Sequence, residues 1–300
     1  MGTPEIASIY LQSLIDSKNN IVAVFSQPPR KKGRGMQLQK TPVHKFAILN
    51  GINTYTPLNL NCEKVKKNIN DLNPDLIIVM GYGLKLNKYI LQLPSFGCIN
   101  IHVSLLPRWR GASPIEHAIM NGDKKTGITI FKLIEEMDAG PIISTDSILI
   151  DSNENKEDLT KRLNILGLKL LNSILPNIFN KKINYQIQNQ NNITYANKIS
   201  TENRKLDFNE NIETISNKIR AFSPKPSAWL IYKNERIKII RSKVVKGIWE
   251  PATILNENFD IGCRDGKICS EIIQREGKKP MYLNDFLRGF NFNVGDKINV

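Results

Sequence analysis

Cysteine, histidine and long apolar runs are all scarce in this chain of 300 residues. The four cysteines, Cys62, Cys98, Cys263 and Cys269, are scattered and form no Cys-x-x-Cys pair, which argues against a disulfide scaffold and against a zinc site. Because the chain has only three histidines, we also predict that it binds no metal. No apolar run approaches the ~18–20 residues of a membrane-spanning helix, so we expect no membrane association.

The first residues of the chain and its charge balance narrow the compartment and the partner. Residues 1–6 lack the basic start and the apolar stretch of a secretory signal. We therefore expect a cytoplasmic protein of bacterial type, or an organellar one without its presequence. The chain has 42 basic and 28 acidic residues, a net charge of +14. This excess favours a nucleic acid partner, although a composition rich in Lys, Asn and Ile is an alternative cause.

Four apolar runs in the first two thirds of the chain do not alternate with polar residues. They lie at residues 21–25, 76–80, 98–103 and 128–131. Such runs are typical of strands that are buried on both faces. Helical patterns lie between and after them, including one through Leu159, Leu163 and Leu170 that we expect to end near Pro176. The order predicts an α/β domain with an open, mostly parallel Rossmann-like sheet and helices on both faces.

The last third of the chain has a different pattern. Residues 177–203 are polar and rich in Asn and Gln, and residues 186–192 are the most linker-like part. Short β-rich runs follow at residues 229–232, 237–245, 259–263 and 268–273. This spacing predicts a smaller OB-like β-barrel domain. We assign residues 185–203 to a linker and residues 204–300 to the OB-like domain.

Asn100 and His102 stand two residues apart in one apolar run, so both side chains project from the same face of the expected strand. They lie near its carboxyl end, where ligands bind in open α/β sheets. The amide of Asn100 can donate a hydrogen bond to a developing oxyanion, and the imidazole of His102 can move a proton near neutral pH. The pair indicates acyl-type transfer. Since there is no Gly-x-Ser-x-Gly elbow, we expect direct attack by the substrate.

Two motifs around this pair resemble the signatures of the 10-formyltetrahydrofolate-dependent formyltransferases. The first is Asn100-x-His102-x-Ser104-Leu105-Leu106-Pro107, followed by Arg110-Gly111, and the second is Met137-Asp138-Ala139-Gly140. The resemblance implies that Asn100, His102 and Asp138 are catalytic, with the aspartate supporting the histidine. It also implies that the formyl donor, 10-formyltetrahydrofolate, binds to Tyr82, Gly83, Leu84, Ser104, Leu105, Leu106 and Pro107.

The resemblance extends to the beginning of the chain, where Gly2-Thr3-Pro4-Glu5 matches a turn of the family. The family has an apolar strand before that turn, whereas this chain begins at the turn. We therefore assign residues 1–184 to a formyltransferase catalytic domain whose first strand is missing. Our hypothesis is a start codon assigned too late, and a lack of in-frame apolar codons upstream would contradict it.

A stretch without acidic residues runs from Asn19 to Cys62 and contains a basic segment with several glycines and prolines. We expect a loop there, suited to grip a phosphate backbone; a merely solvated surface is the alternative. By resemblance to family members that formylate the initiator Met-tRNA, this loop enters the acceptor end of the RNA. The predicted contact residues are Arg30, Lys31, Lys32, Arg34 and Lys40, with Lys278 and Lys279 in the C-terminal domain, and Arg34 is the best single candidate.

The resemblance implies a monomer with two substrates, the initiator Met-tRNA and the folate. In the expected reaction the methionine α-amine takes the formyl group while Asn100 stabilises the oxyanion, His102 shuttles the proton and Asp138 fixes the imidazole tautomer. The alternatives are a formyltransferase for a small amine, such as a ribonucleotide or an amino-sugar nucleotide, a formyl-folate hydrolase or dehydrogenase, and a non-catalytic RNA-binding relative. Roughly a hundred residues after the catalytic part argue against the ribonucleotide enzyme, and the large additional domain expected of a hydrolase or dehydrogenase does not appear. The intact set of Asn100, His102 and Asp138 argues against a non-catalytic relative.

Overall fold

The computed structural model describes residues 1–33 and 35–298. The α-helices are α1 (Glu5–Asp16), α2 (Pro42–Leu49), α3 (Glu63–Leu72), α4 (Lys88–Gln92), α5 (Pro114–Met120), α6 (Lys156–Phe179), α7 (Ile212–Phe222) and α8 (Leu283–Leu287). The strands are β1 (Val24–Phe25), β2 (Arg30–Lys32), β3 (Gln37–Gln39), β4 (Thr54–Tyr55), β5 (Ile77–Val79), β6 (Cys98–His102), β7 (Arg110–Gly111), β8 (Lys125–Lys132), β9 (Ile142–Leu149), β10 (Tyr195–Ala196), β11 (Ala228–Tyr232), β12 (Glu235–Lys246), β13 (Ile261–Cys263), β14 (Gly266–Arg275) and β15 (Met281–Tyr282).

The chain divides into two compact units. The first unit comprises Met1–Ala112, Gly127–Ile148 and Arg162–Tyr195, and the second comprises Ser113–Thr126, Leu149–Lys161 and the chain from Ala196 onward. Neither unit is one continuous stretch of sequence. The boundaries 1–184, 185–203 and 204–300 therefore stay a prediction.

A four-stranded sheet in the order β5-β6-β8-β9 organises the first unit. β5 and β6 are parallel, whereas β8 runs antiparallel to β6. The apolar run at residues 128–131 thus forms a fully buried strand, as predicted, but not a parallel one. Burial on both faces comes from the layers that cover the sheet, and it does not require parallel pairing.

The beginning of the chain lies against β5. Gly2 forms a parallel bridge with Met80, the Met80 N–H donates to the carbonyl oxygen of Met1, and the Gly2 N–H donates to that of Phe25 in β1. β1 in turn pairs in parallel with β4. Residues 1–2 therefore connect the β1–β4 pair to the four-stranded sheet.

Helix α6 extends beyond its expected end. It reaches Phe179 with Pro176 inside its last turn, so the prediction that it stops near Pro176 was wrong by about one turn. Proline lacks one backbone hydrogen bond but can be tolerated close to a helix end. The Pro176 carbonyl oxygen still accepts a hydrogen bond from the N–H of Asn180. At Gly167 of the same helix, a Cβ would collide with the hydroxyl of Tyr10, so α1 packs there against bare backbone.

The basic segment that we expected to be a loop is a β-hairpin. β2 and β3 pair antiparallel, with Arg30 opposite Gln39 and Lys32 opposite Gln37. Gly33 and Gly35 have φ values of +78° and +86°, a backbone conformation that glycine adopts without strain and that allows a tight turn. The loop prediction was therefore wrong, because turn residues at the tip conceal two short strands.

The second unit contains an antiparallel sheet in the order β11-β12-β14-β13, with β15 added to β14. A register shift between Ile239 and Ser242 indicates a bulge, which bends a strand. The sheet curls into a half-barrel around an apolar cluster that includes Leu230, Ile237 and Phe259. The prediction of a Rossmann-like α/β domain followed by a smaller barrel-like β domain is confirmed. Among the described helices, none has the length and apolarity to cross a membrane.

Candidate active site

The site is built at the carboxyl end of β6. Asn100 pairs with Phe131 of β8 and His102 pairs with Thr129, so the two predicted catalytic side chains share one face of the sheet. His102 is buried, with 6% of its surface exposed, whereas Asn100 is half-buried. The Asn100 side chain makes no hydrogen bond to any residue that the structure describes, which leaves its amide free to donate to a ligand.

The nearest partner of the histidine is a backbone carbonyl group. Nε2 of His102 lies 2.8 Å from the carbonyl oxygen of Trp109. A carbonyl oxygen only accepts hydrogen bonds, so Nε2 must carry the proton in this arrangement. In the neutral ring, Nδ1 is then the unprotonated nitrogen. It makes no hydrogen bond to the part of the chain that the structure describes, and it is therefore the nitrogen that is available for proton exchange.

Asp138 lies on the Nδ1 side of the ring. Its Oδ2 is 3.9 Å from Nδ1, beyond hydrogen-bond distance but close enough to stabilise a positive charge on the ring. The same oxygen accepts the N–H of Gly111 at 2.8 Å. The structure therefore brings together Asn100, His102 and Asp138. It corrects the expectation that Asp138 fixes the imidazole tautomer, because the direct contact that selects the tautomer is the Trp109 carbonyl.

The second motif needs its glycine because the backbone is crowded. A Cβ at Gly140 would collide with the carbonyl oxygen of Lys132. Asp138 itself has φ = +50°, an uncommon conformation for a residue with a side chain, which Asp adopts more readily than most. This tight turn directs the carboxylate towards the N–H of Gly111.

The loop after β6 turns two of its predicted folate-binding residues inward. The Ser104 hydroxyl donates to the carbonyl oxygen of Arg108 at 2.6 Å, and Ser104 is fully buried. Thr129 donates its hydroxyl to the Ser104 carbonyl oxygen and accepts the Leu106 N–H. Leu106 packs with Phe131 and Ile142. Ser104 and Leu106 thus hold the loop in place, while Leu105 and Pro107 keep partly exposed surface.

The loop after β5 also combines a buried residue that holds the loop with residues that keep exposed surface. The Tyr82 ring is 1% exposed and packs in an apolar cluster, and its burial raises the pKa of the phenol to about 12. Its carbonyl oxygen accepts hydrogen bonds from Thr3 and Gln27. Gly83 is exposed and Leu84 is half-buried. Of the three, Gly83 and Leu84 have surface to offer a ligand.

Two buried polar residues at the site were not among the predicted site residues. Arg110 has no exposed surface, donates to Gln188 from Nε at 3.1 Å and from Nη2 at 2.9 Å, and reaches Glu136 from Nη1 at 3.2 Å. Gln188 is 3% exposed. Arg110 belongs to the first motif, so its place in that motif could have identified it as a site residue. Gln188 stands in a polar, linker-like stretch, where nothing in the composition distinguishes it.

Cys98 is the one cysteine within the motif strand. It is fully buried, and burial raises the pKa of its thiol to about 12. Since the thiolate is the nucleophilic form, Cys98 does not supply a nucleophile near neutral pH. Within residues 1–33 and 35–298, no group of three His, Cys, Asp or Glu side chains is arranged to hold a metal ion.

The predicted RNA-binding residues fall into two groups. Arg30, Lys31, Lys32 and Lys40 are exposed on or beside the β2–β3 hairpin of the first unit, and Arg30 donates to Gln27 at 3.0 Å. Lys278 and Lys279 are exposed in the turn between β14 and β15 of the second unit. Arg34, the best single candidate from the sequence, lies outside the described residues.

Comparison with known proteins gives this geometry its context. The family model described as "Formyl transferase" matches residues 1–175, and that described as "Formyl transferase, C-terminal domain" matches residues 198–291. A methionyl-tRNA formyltransferase of Magnetococcus marinus is 36% identical over 301 residues, which span 99% of this chain and 96% of the relative. One from Ehrlichia canis is 39% identical over 297 residues, with 97% and 96% covered.

Solved structures with the same fold are more distant in sequence. WlaRD, a sugar 3N-formyl transferase crystallised in the presence of dTDP and 5-N-formyl-THF, is 22% identical with a TM-score of 0.66, covering 93% of this chain and 97% of that one. HypX from Aquifex aeolicus, in complex with tetrahydrofolic acid, is 16% identical with a TM-score of 0.62, covering 92% and 51%. These likenesses show the fold. From the family models and the close relatives together, the chain belongs to the formyl transferase family.

Proposed function

We propose that this protein transfers the formyl group of 10-formyltetrahydrofolate to the α-amine of methionine on the initiator tRNA, giving the formyl-Met-tRNA used to start translation. The observation that carries the proposal is the convergence of Asn100, His102 and Asp138 at the end of β6. It is supported by relatives of nearly the same length whose names state this activity.

Each of the three side chains has a distinct role in the proposed reaction. The methionine amine attacks the formyl carbon, and the amide of Asn100 donates a hydrogen bond to the oxygen that becomes negative. One such donor is typically worth about 10²–10³ in rate. Nδ1 of His102 accepts the proton that the amine loses and returns it to the departing N10 nitrogen of the folate. The carboxylate of Asp138, 3.9 Å away, stabilises the imidazolium between these two transfers.

The proposed folate surface is the partly exposed edge formed by Gly83, Leu84, Leu105 and Pro107. Gly83 and Leu84 follow β5, and Leu105 and Pro107 follow β6, so all four lie beyond the carboxyl ends of two adjacent parallel strands. They keep accessible surface. Tyr82, Ser104 and Leu106 are buried and would contribute indirectly, by holding in place the loops that follow β5 and β6. This edge offers a ligand backbone groups and apolar side chains, which fit a flat aromatic pterin better than a charged ligand.

The proposed RNA contacts are the exposed cations. Arg30, Lys31, Lys32 and Lys40 would contact the acceptor end, and Lys278 and Lys279 of the second unit would contact the body of the tRNA. Arg34 belongs to the first group by its place in the sequence. A net charge of +14 supports a polyanionic substrate. We further propose that the enzyme acts as a monomer in the cytoplasm, where charged tRNA is used.

The test is a transfer assay with formyl-folate as donor and three acceptors: Met-tRNA, an amino-sugar nucleotide and an amino-ribonucleotide. We expect turnover with Met-tRNA, and a Michaelis constant for tRNA that rises with salt at a log–log slope of about 0.7–0.9 per phosphate contacted. Turnover only with a small amine, and little effect of salt, would replace the proposal with the small-amine alternative. RNA binding without any turnover would identify a non-catalytic relative.

A further inference from the structure

We propose that Gln188 and Thr194 are positioning residues for His102, and that residues 186–194 form a strap that sets both partners of the imidazole. The assay, though not the structural argument, rests on the proposed function. The strap lies between the regions matched by the two family models, which end at residue 175 and resume at residue 198. Its sequence is polar and typical of a linker.

The strap is anchored to the first unit at its beginning. Gln186 and Ile142 exchange both of their backbone hydrogen bonds, at 2.7 Å and 2.9 Å. Gln186, Ile187, Asn189 and Gln190 are exposed, but Gln188 between them is 3% exposed. A single amide is therefore turned inward from a stretch that otherwise faces water, and a buried amide requires partners.

Gln188 has all of its hydrogen-bonding capacity satisfied at the Asp138 turn. Its Nε2 donates to the carbonyl oxygens of Asp138 and Gly140, both at 2.8 Å. Its Oε1 accepts both hydrogen bonds from Arg110. The reverse orientation would set the amide nitrogen against a guanidinium and the amide oxygen against two carbonyl oxygens. Gln188 thus fixes the φ = +50° turn that directs the Asp138 carboxylate.

Thr194 holds the Trp109 peptide group, whose carbonyl contacts the imidazole of His102 on the side opposite Asp138. Its hydroxyl accepts the N–H of Trp109 at 2.9 Å, and its carbonyl oxygen accepts the N–H of Arg110 at 2.9 Å. The Arg110 N–H and the Trp109 carbonyl belong to one planar peptide group and point in opposite directions. Thr194 therefore holds one end of the peptide group whose other end binds Nε2 of His102.

The two residues together decide how the ring is presented. Thr194 keeps the Trp109 carbonyl where it requires a proton on Nε2, and Gln188 keeps the Asp138 carboxylate beside Nδ1. Without the Thr194 contacts, the imidazole gains access to the other tautomer. Without Gln188, the Asp138 carboxylate is no longer held beside Nδ1. Misplacement of a reacting group by about 1 Å can reduce a rate by about 10²-fold.

Four variants test this role. Gln188→Glu keeps an acceptor for Arg110 but removes both donors, and we expect kcat to fall about 10²-fold with both Michaelis constants within about twofold of the parent. Thr194→Val preserves shape and the backbone bond to Arg110 but loses the hydroxyl that accepts the Trp109 N–H. Because one of the two contacts that hold Trp109 remains, we expect a smaller loss of about tenfold. Thr194→Ser restores the hydroxyl and should restore the rate. Gln190→Glu makes the same chemical change on an exposed residue of the strap and should match the parent.

A second readout does not depend on activity. The chain has three histidines, so the ring nitrogens of His102 can be assigned by nitrogen NMR with the help of His44→Gln and His117→Gln. At a pH where the ring is neutral, we expect Nε2–H in the parent protein and a mixed population in Thr194→Val. Gln188→Glu should keep Nε2–H, because the Gln188 side chain binds Arg110 and the Asp138 turn and does not contact the Trp109 peptide. If the parent used only a small amine, the proposed function would fail while both the rate ratios and the tautomer remained measurable.

The proposal is overturned if folded Gln188→Glu retains the parent rate, or if folded Thr194→Val retains the parent rate and tautomer. It is also overturned if Thr194→Ser is as slow as Thr194→Val, because a hydroxyl at this position would then not be sufficient to restore the rate. If Gln188→Glu does not fold, the matched pair at Thr194 decides the question alone.

Discussion

The end of β6 and the curled sheet of the second unit use their buried space in opposite ways. At the end of β6, several buried side chains are polar and bind each other or the backbone: Arg110 donates to Gln188, and Thr129 donates to the Ser104 carbonyl oxygen. In the curled sheet the buried cluster is apolar, and charges such as Glu271 pair at the surface. Buried polar groups stabilise a fold less than apolar ones do and require every partner to be in place. The first region is therefore built for orientation and the second for stability.

Substitutions in the apolar cluster should give the largest effect on stability. Phe259 is fully buried, with its ring against Phe286, Phe290 and Phe292. We expect Phe259→Ala to reduce the free energy of unfolding by about 3–5 kcal/mol. Urea unfolding followed by tryptophan fluorescence measures it, since Trp229 and Trp249 lie in this unit.

The matched control for Phe259→Ala is Ile248→Ala, at a side chain that is 96% exposed. Its effect should stay within about 0.5 kcal/mol. Equal losses in the two variants would mean that the cluster is not the source of stability in this sheet, and the contrast between the two regions would fail.

Next in size is the loss of the proposed oxyanion donor, Asn100, which should reduce the rate and leave the stability of the fold unchanged. Asn100 is half-buried and has no hydrogen bond from its side chain to a described residue, so Asn100→Ala removes no hydrogen bond of the fold. We expect kcat to fall about 10²–10³-fold, with the dissociation constant for tRNA unchanged in a filter-binding assay. Asn100→Asp sharpens the result, because it keeps the size but sets a negative charge against the oxyanion. Parent-like turnover in Asn100→Ala would remove Asn100 from the chemistry.

The contrast also explains what the sequence alone predicted. Asn100 and His102 were found because a period of two places them on one face, and because strand ends are where ligands bind. The apolar runs predicted β5, β6 and β8 for the same reason that they fold: their side chains are buried. These signals are local, so they can be recognised without knowing how the rest of the chain folds.

The partners of those residues were not predictable in this way. Gln188 is separated from Arg110 by 78 positions. It stands among exposed Asn and Gln residues, so its local sequence does not indicate that it is buried. The Trp109 carbonyl has no side-chain signature at all. The hairpin was missed because Gly33 and Gly35 favour a turn without revealing that β2 and β3 pair on either side of it. Orientation is set by long-range polar contacts, which composition and periodicity do not reveal.

Removing charge from the hairpin should have a moderate effect, confined to the RNA. Lys31 and Lys32 are exposed on β2, so Lys31→Gln with Lys32→Gln removes two cations without disturbing packing. We expect the log–log salt slope of the tRNA Michaelis constant to decrease by about 0.7–0.9 for each phosphate that the variant no longer neutralises, with kcat unchanged. Lys64→Gln with Lys67→Gln on α3 removes the same charge from another exposed face. Equal changes in slope in the two double variants would show a general charge effect and no site.

The smallest effect is expected at the paired charges on the curled sheet. Glu271 contacts Arg241 at 2.7 Å and Lys243 at 2.9 Å, and the hydrogen bond from Lys243 is the main cause that lowers the pKa of its carboxyl group. A carboxyl group with a lowered pKa in the folded state contributes stability above its unfolded pKa, near 4.5. That contribution disappears as the pH falls through the folded pKa. Glu271→Gln should therefore be less stable than the parent by under about 1 kcal/mol at pH 7, and urea unfolding should show the gap closing in acid. A gap that widened in acid would contradict the pairing, whereas a large gap at pH 7 would show that surface charges stabilise this sheet as strongly as its apolar cluster does.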